Sequence, residues 1–149
     1  MRKPIGFAAL SVLLLLAACA APGGTTLYER LGGRPVVKVF VDRTLDRTST
    51  DSRTKRSFEG IRIAAIKESL AEQICVVSDG SDCKYEGETM HNAHAQSNIQ
   101  PREFDAMVEI LREELDRAGV APGAKNELLK RLAPMKRDIV ATTTSSASR

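Results

Sequence analysis

The sequence predicts an all-α fold on three observations. Apolar residues recur at helical spacing over three long stretches, prolines stand where helices begin or break, and no stretch alternates apolar and polar residues convincingly enough for a strand. At 149 residues the chain has the length of one domain, and its 42% apolar content is enough for a core.

Leu27-Tyr28-Glu29-Arg30-Leu31 reads as a short amphipathic turn stopped by Gly32-Gly33. Pro35 is placed as a first helical residue. Val36, Val37, Phe40, Val41 and Leu45 then recur on one face, with Asp42, Arg43, Asp46 and Arg47 mostly between them. Thr48 to Lys55 is polar and reads as a loop, and Ser57-Phe58-Glu59-Gly60 puts one large aromatic at a corner. The next helix spans about Arg62 to Val77, with Ile63, Ile66, Leu70, Ile74 and Val77 on one face. A short helical piece around Met90 to Ala95 is broken by Asn98-Ile99-Gln100-Pro101. Pro101 opens another helix with Glu103 in its first turn, and Phe104, Met107, Val108, Leu111, Leu115 and Ala118 form its apolar stripe. After a turn over Gly119 to Gly123, a last helix starts near Ala124 and carries Leu128, Leu129, Leu132, Met135 and Ile139. Pro134 inside it should kink or split it.

The N-terminus carries an export pattern. Arg2 and Lys3 precede an apolar run from Ile5 to Ala18, and small residues follow. Leu16-Ala17-Ala18-Cys19 resembles the lipobox of bacterial lipoproteins. That resemblance implies a signal peptide over 1–18, lipid on Cys19 and a chain held to a membrane in the cell envelope. Ala20 after the cysteine resembles lipoproteins sorted to an outer membrane, which puts the domain on its periplasmic face. The expected division is a tether over 19–26, the folded domain over 27–140 and a Ser/Thr-rich tail over 141–149.

There are 22 Lys and Arg against 19 Asp and Glu, and removing Arg2 and Lys3 leaves 20 against 19. So balanced a chain offers no electrostatic case for a nucleic-acid partner. Cys75 and Cys83 remain once Cys19 is assigned to lipid. Export favours a disulfide between them, and Asp79-Gly80-Ser81-Asp82 can turn the chain back. A redox pair, or a metal site shared with the histidines, stays open at this point.

The two histidines, His91 and His94, lie together in Lys84-Tyr85-Glu86-Gly87-Glu88-Thr89-Met90-His91-Asn92-Ala93-His94-Ala95. The chain has no Trp and few aromatics, so histidine is its best candidate for metal or haem chemistry. Helices on both sides of that segment can enclose a flat apolar cofactor held by one axial imidazole. Ile66, Leu70 and Ile74 would line one face of the slot, Phe58 would stack on the ring edge, and Phe104, Met107 and Leu132 would pack the other side. Lys67 or Lys84 would meet the propionates at the rim. Periodicity alone fits equally a helical bundle whose histidines face solvent.

Leu27-Tyr28-Glu29-Arg30-Leu31-Gly32-Gly33 resembles the N-terminal signature of group 1 truncated haemoglobins. Lys84-Tyr85-Glu86-Gly87 followed by Met90-His91-Asn92-Ala93-His94 resembles that family's Tyr-x-Gly…Met-x-x-x-His segment. Ile99, Phe104 and the ending Leu132 to Val140 also fit. The similarity spans Leu27 to Val140. It implies a two-over-two helical globin sandwich, one haem b per chain and a diatomic gas as ligand. Residue by residue, it implies His94 as the proximal iron ligand and Phe58 as the aromatic on the ring. Tyr85, Met90 and Ile99 fall in the matching segments, and Ile66 and Leu70 fall on the distal helix. Phe40, Thr44 and Leu45 are expected on the distal side. His91 matches no family ligand and is expected to face solvent or a propionate; exchange with His94 or a second ligation is the alternative.

The chain departs from the family where a bound gas is held. A Phe-Tyr pair common in relatives is Thr44-Leu45 here, and a frequent distal Gln is Leu70. Both usual donors are missing; Thr44, Ser69 or Gln73 would have to substitute. The family's Gly-Gly after the distal helix is replaced by Ser78 to Asp82. Three functions follow as expectations. The first is a lipid-anchored haem protein that reversibly binds oxygen, nitric oxide or carbon monoxide. The second is a haem enzyme, a nitric oxide dioxygenase or peroxidase, which needs an electron donor the sequence does not supply. The third is a haem-free globin acting as an envelope module.

Overall fold

The structure is a computed structural model that describes residues 25–141. The signal segment, Cys19, most of the tether and the tail from 142 lie outside the described residues. Seven helices follow in order: α1 Leu27–Arg30, α2 Gly33–Thr48, α3 Ile63–Val77, α4 Met90–His94, α5 Pro101–Arg117, α6 Pro122–Leu132 and α7 Lys136–Ile139. Short 3-10 turns cover Lys55–Phe58 and Ala133–Met135. Among the described residues there is no strand, only an isolated parallel bridge between Ile99 and Val140.

A reciprocal cap starts α1. The Thr26 hydroxyl accepts from the Glu29 N–H at 3.1 Å, and the Glu29 carboxylate accepts from the Thr26 N–H at 2.9 Å. The chain then turns into α2 through Gly32 at φ 97°, where a Cβ would stand 2.4 Å from Val36. Only glycine fits that turn. Helix α2 begins two residues before Pro35, which becomes its third residue. The N–H groups of the first turn have no helical partner, so a proline there loses nothing. At its other end α2 runs on through Thr48. Thr44 and Thr48 turn their hydroxyls back to the carbonyls of Phe40 and Thr44, which satisfies both side chains inside the core. Helix α6 likewise starts at Pro122, earlier than Ala124, because Pro122 supplies the pre-set first residue. Pro134 splits the last helical segment as expected, ending α6 at Leu132 and setting α7 off behind a 3-10 turn.

Helix α2 is the central element, packed against α3 on one side and α5 on the other, while α6 touches both α3 and α5. Leu27, Leu31, Val37, Phe40, Val41 and Leu45 meet Ile74, Leu115, Leu128 and Leu129 in a single core. Ala106 and Ile110 are also buried, outside the stripe expected on α5. This core runs from α1 along α2 as far as Leu45. The other end of the helix pairs is left open.

Two carboxylates of α5 are buried. Glu114 receives Arg47 Nη1 at 2.6 Å and a second hydrogen bond from Arg117. Burial pushes its pKa up, but the two guanidiniums outweigh that and hold it below the ordinary value. Glu103 receives both Nε (2.8 Å) and Nη2 of Arg56 and the Gln100 N–H at 2.8 Å. The Arg56 bonds, opposed by burial and helped by the backbone donor, hold its pKa down as well. Lowered carboxylate values contribute stability above the unfolded pKa and lose it as pH falls through the folded value. Glu103→Gln should therefore lower stability at neutral pH by about 1–3 kcal/mol, the range for hydrogen bonds to charged groups. It should also flatten the loss of melting temperature as pH falls from about 5 to 3. Thermal denaturation of both proteins across that range checks both points.

Candidate functional site

The open end of the helix pairs encloses a cavity of about 440 Å³, within the range of small-molecule sites. Helix α2 reaches it only through Thr44 and Leu45. One wall comes from α3 with Ala65, Ile66, Ser69, Leu70, Gln73 and Ile74. Phe58 and Ile61 come from the corner before α3, and Phe104, Met107, Val108 and Leu111 from α5. The remaining wall combines Tyr85, Met90, Ala93, His94, Ser97 and Ile99 with Leu132, Met135 and Ile139. Thus thirteen expected residues meet here: His94, Phe58, Ile66, Leu70, Ile74, Tyr85, Met90, Ile99, Phe104, Met107, Leu132, Leu45 and Thr44.

Helix α4 presents His94. The Thr89 hydroxyl accepts from the Asn92 N–H at 3.2 Å and caps its start. The approach is set by Tyr85, whose hydroxyl donates to the Glu88 carbonyl at 2.8 Å. Its ring lies against Gly87, where a Cβ would come within 2.5 Å of it. Within the helix, His94 Nδ1 is 2.8 Å from the Met90 carbonyl. A carbonyl only accepts, so Nδ1 is the donor of this bond and Nε2 is the ring nitrogen it leaves unengaged. That is the arrangement by which a second bond orients an imidazole for a metal. Helix α4 rests on α7, and the chain beyond is tied by the Ala141 N–H donating to the Ile99 carbonyl at 2.9 Å.

The structure corrects two expectations. Phe40 is not on the cavity wall. It lies one helical turn nearer the start of α2 than Thr44, fully buried in the core with Leu27, Leu31 and Val41. Lys67 does not line the cavity either; its ammonium sits 2.8 Å from Asp46, because its position on α3 turns toward α2. Lys84, the other expected rim cation, pairs with Glu86 and is 82% exposed. His91 is exposed and absent from the wall.

The cavity's polar groups are mostly committed. The Thr44 hydroxyl donates to the Phe40 carbonyl at 2.6 Å, and the Thr54 hydroxyl donates to the Thr48 carbonyl. Thr44 therefore has no proton left to offer the cavity. Ser69 and Gln73 do line it, half-buried on α3. Sequence reasoning missed Ser57 and Glu103 as wall residues. Ser57 Oγ is buried without a hydrogen bond of acceptable geometry, though it lies near enough to Glu103 to favour that carboxylate's charge. Nothing in the pattern marks Ser57; a 3-10 turn rotates it inward. Among the described residues, Glu103 is the only Asp, Glu, Lys or Arg on the wall.

Cys75 and Cys83 are joined in a disulfide. Among the described residues no three His, Cys, Asp or Glu side chains converge to hold a bare ion. A lone imidazole beside an apolar slot suits an iron that arrives with its equatorial ligands already in place.

The sequence profile of the bacterial-like globins matches residues 26–141. Group 1 truncated hemoglobin GlbN of Nostoc sp. (strain MUN 8820) is 31% identical over 112 residues, covering 75% of this chain and 94% of that protein. The Fe(III) form of truncated hemoglobin from Tetrahymena pyriformis superposes with a TM-score of 0.73 at 27% identity, over 79% of this chain and all of the other. The cyanomet 2/2 hemoglobin from Synechococcus sp. PCC 7002, at 24% identity and TM-score 0.71, covers 78% of this chain and 98% of its own and shares the fold. An imidazole on a short helix facing an apolar slot, in a chain matched from end to end of its folded part, has one family explanation: this chain belongs to the bacterial-like globins, as a truncated globin of two-over-two helical fold.

Proposed function

We propose that this truncated globin reversibly binds a diatomic gas on haem iron held by His94. Haem is the cofactor of the truncated globins, and the residues present fit it. The reading rests above all on His94, with Nδ1 satisfied by the Met90 carbonyl and Nε2 left free beside a 440 Å³ apolar cavity. Phe58 would pack the ring from the corner, Ile66 and Leu70 would face it from α3, and Met90, Ile99 and Leu132 would support it on the His94 side. When bound, haem would supply an iron position open to a gas. The chain's own residues exclude water, fix the imidazole and set what the gas meets on the far side.

What it meets there is largely apolar. Leu45, Ile66 and Leu70 offer no proton and Thr44 has given its own to Phe40, which leaves Ser69 and Gln73 as the side chains of α3 with a donor to offer. Without a bond from either, the pocket holds oxygen weakly, since bound oxygen gains most from a donor, and favours carbon monoxide and nitric oxide by comparison. We further propose that lipid on Cys19 holds the domain at the envelope; globomycin-sensitive processing and palmitate labelling, both lost in Cys19→Ala, would support this.

Two outcomes are expected. Purified chain with added haem should show a Soret band that shifts on carbon monoxide binding. His94→Ala should abolish or displace that band while His91→Ala leaves it unchanged; a chain that stays colourless in excess haem would sink the reading. Leu45→Tyr places a hydroxyl on the distal wall and should slow oxygen release by about twofold to tenfold, the equivalent of one hydrogen bond. Stopped-flow or flash photolysis measures it, and carbon monoxide release should change much less.

A further inference from the structure

The haem slot has two walls that barely touch each other directly. Helix α3 carries Leu70 and Ile74 on one side, and α4 carries His94 on the other. Helix α3 packs on α2 and α6, while α4 packs on α7. What joins the walls is the segment from Ser78 to Thr89, and the disulfide lies at its root. Cys75 follows the wall residue Ile74 directly, and Cys83 precedes the wall residue Tyr85 by two positions. The bond is seated, not incidental. Cys75 is 2% exposed, the Gly80 N–H donates to the Cys75 carbonyl at 2.9 Å, and a Cβ on Gly80 would stand 2.5 Å from both sulfurs. The same junction is tied again from outside. Arg34 bonds both the Glu72 carboxylate and the Asp82 carbonyl, and Glu72 accepts from the Lys84 N–H at 3.3 Å.

We propose that Cys75 and Cys83 are positioning residues for the haem: their bond fixes the distance between the distal helix and the His94 helix. The inference rests on the haem reading above. A loop closed at sequence separation 8 removes most of the freedom of the chain between the two cysteines and anchors the start of the segment that leads from Cys83 into α4. Helix α4 is five residues long and has no stability of its own to replace that restraint. Opening the bond lets α4 and Tyr85 drift from α3. The imidazole then meets the iron at variable angles, and the ring leaves more readily.

The test compares the haem-loaded wild type with Cys75→Ala/Cys83→Ala, following haem transfer to excess apomyoglobin. The double variant should release haem about tenfold faster or more, and its ferrous iron–histidine stretching band should broaden or shift. Gly80→Ala should act in the same direction with both cysteines present and lose its effect in the double variant. Leu128→Ala, deep in the core and remote from the slot, serves as the stability control. It should lower the melting temperature of the haem-free chain without speeding haem loss to the same degree. In the haem-free chains, amide exchange of residues 84–94 should rise in the double variant and not in Leu128→Ala. Equal release rates and an unchanged stretching band in wild type and double variant would overturn the proposal and leave the haem reading intact. A wild type that takes up no haem would overturn both.

Discussion

A helix of one and a half turns cannot hold an imidazole still. Isolated segments of that length do not stay helical in water, so α4 exists only because its surroundings leave it no other conformation. Thr89 caps it, Tyr85 folded over Gly87 sets its approach, α7 supports it, and the Ile99 bridge ends it. The hydrogen bond from His94 to Met90 then fixes the one degree of freedom that matters, the rotation of the ring. The remaining helices are arranged so that a slot stays open in front of that ring.

Keeping a slot open inside a small helical domain is itself a demand on packing. The buried side chains of α2 run from Val37 to Thr48, and the cavity touches the helix only at Thr44 and Leu45. The fully packed core lies to one side of that contact, and the cavity is lined by half-buried residues such as Phe58, Ile66 and Leu70. The buried carboxylates are placed to match. Glu114 ties α5 to Arg47 near the end of α2, and Glu103 ties the start of α5 to Arg56 beside the cavity. Each brings hydrogen-bonded guanidinium with it, which is the condition for burying a carboxylate at tolerable cost.

The wall around Thr44 shows how local chemistry decides what a side chain can offer a cavity. Thr44 stands where a donor would be useful, yet its hydroxyl bonds the helix carbonyl one turn back. A buried threonine in a helix does this because no water is present to satisfy it. Polarity by composition is therefore not polarity toward a ligand. Ser57 is the reverse case, an unremarkable serine that a 3-10 turn leaves buried at the cavity without a hydrogen bond.

The sequence by itself determined what short-range rules control. Helical spacing, the prolines and the glycines marked the elements, though Pro35 and the start of α6 misled by two residues because proline is tolerated anywhere in a first turn. The order of residues from Tyr85 to His94 marked that segment as the place of the candidate imidazole, and the structure puts His94 on the cavity wall. Tertiary structure alone decided which side chains share a wall. Phe40 and Leu45 lie on one helix, but only the second sits where the helices part. Lys67 is one of two lysines expected at the rim, yet Asp46, 21 residues earlier, draws it away. Nothing in the helical pattern marks Glu103 and Glu114 as buried; Arg56 and Arg47, 47 and 67 residues distant, make their burial possible. Periodicity reports which face of an element is apolar. What that face meets depends on contacts between residues far apart in the chain, and those exist only once it has folded.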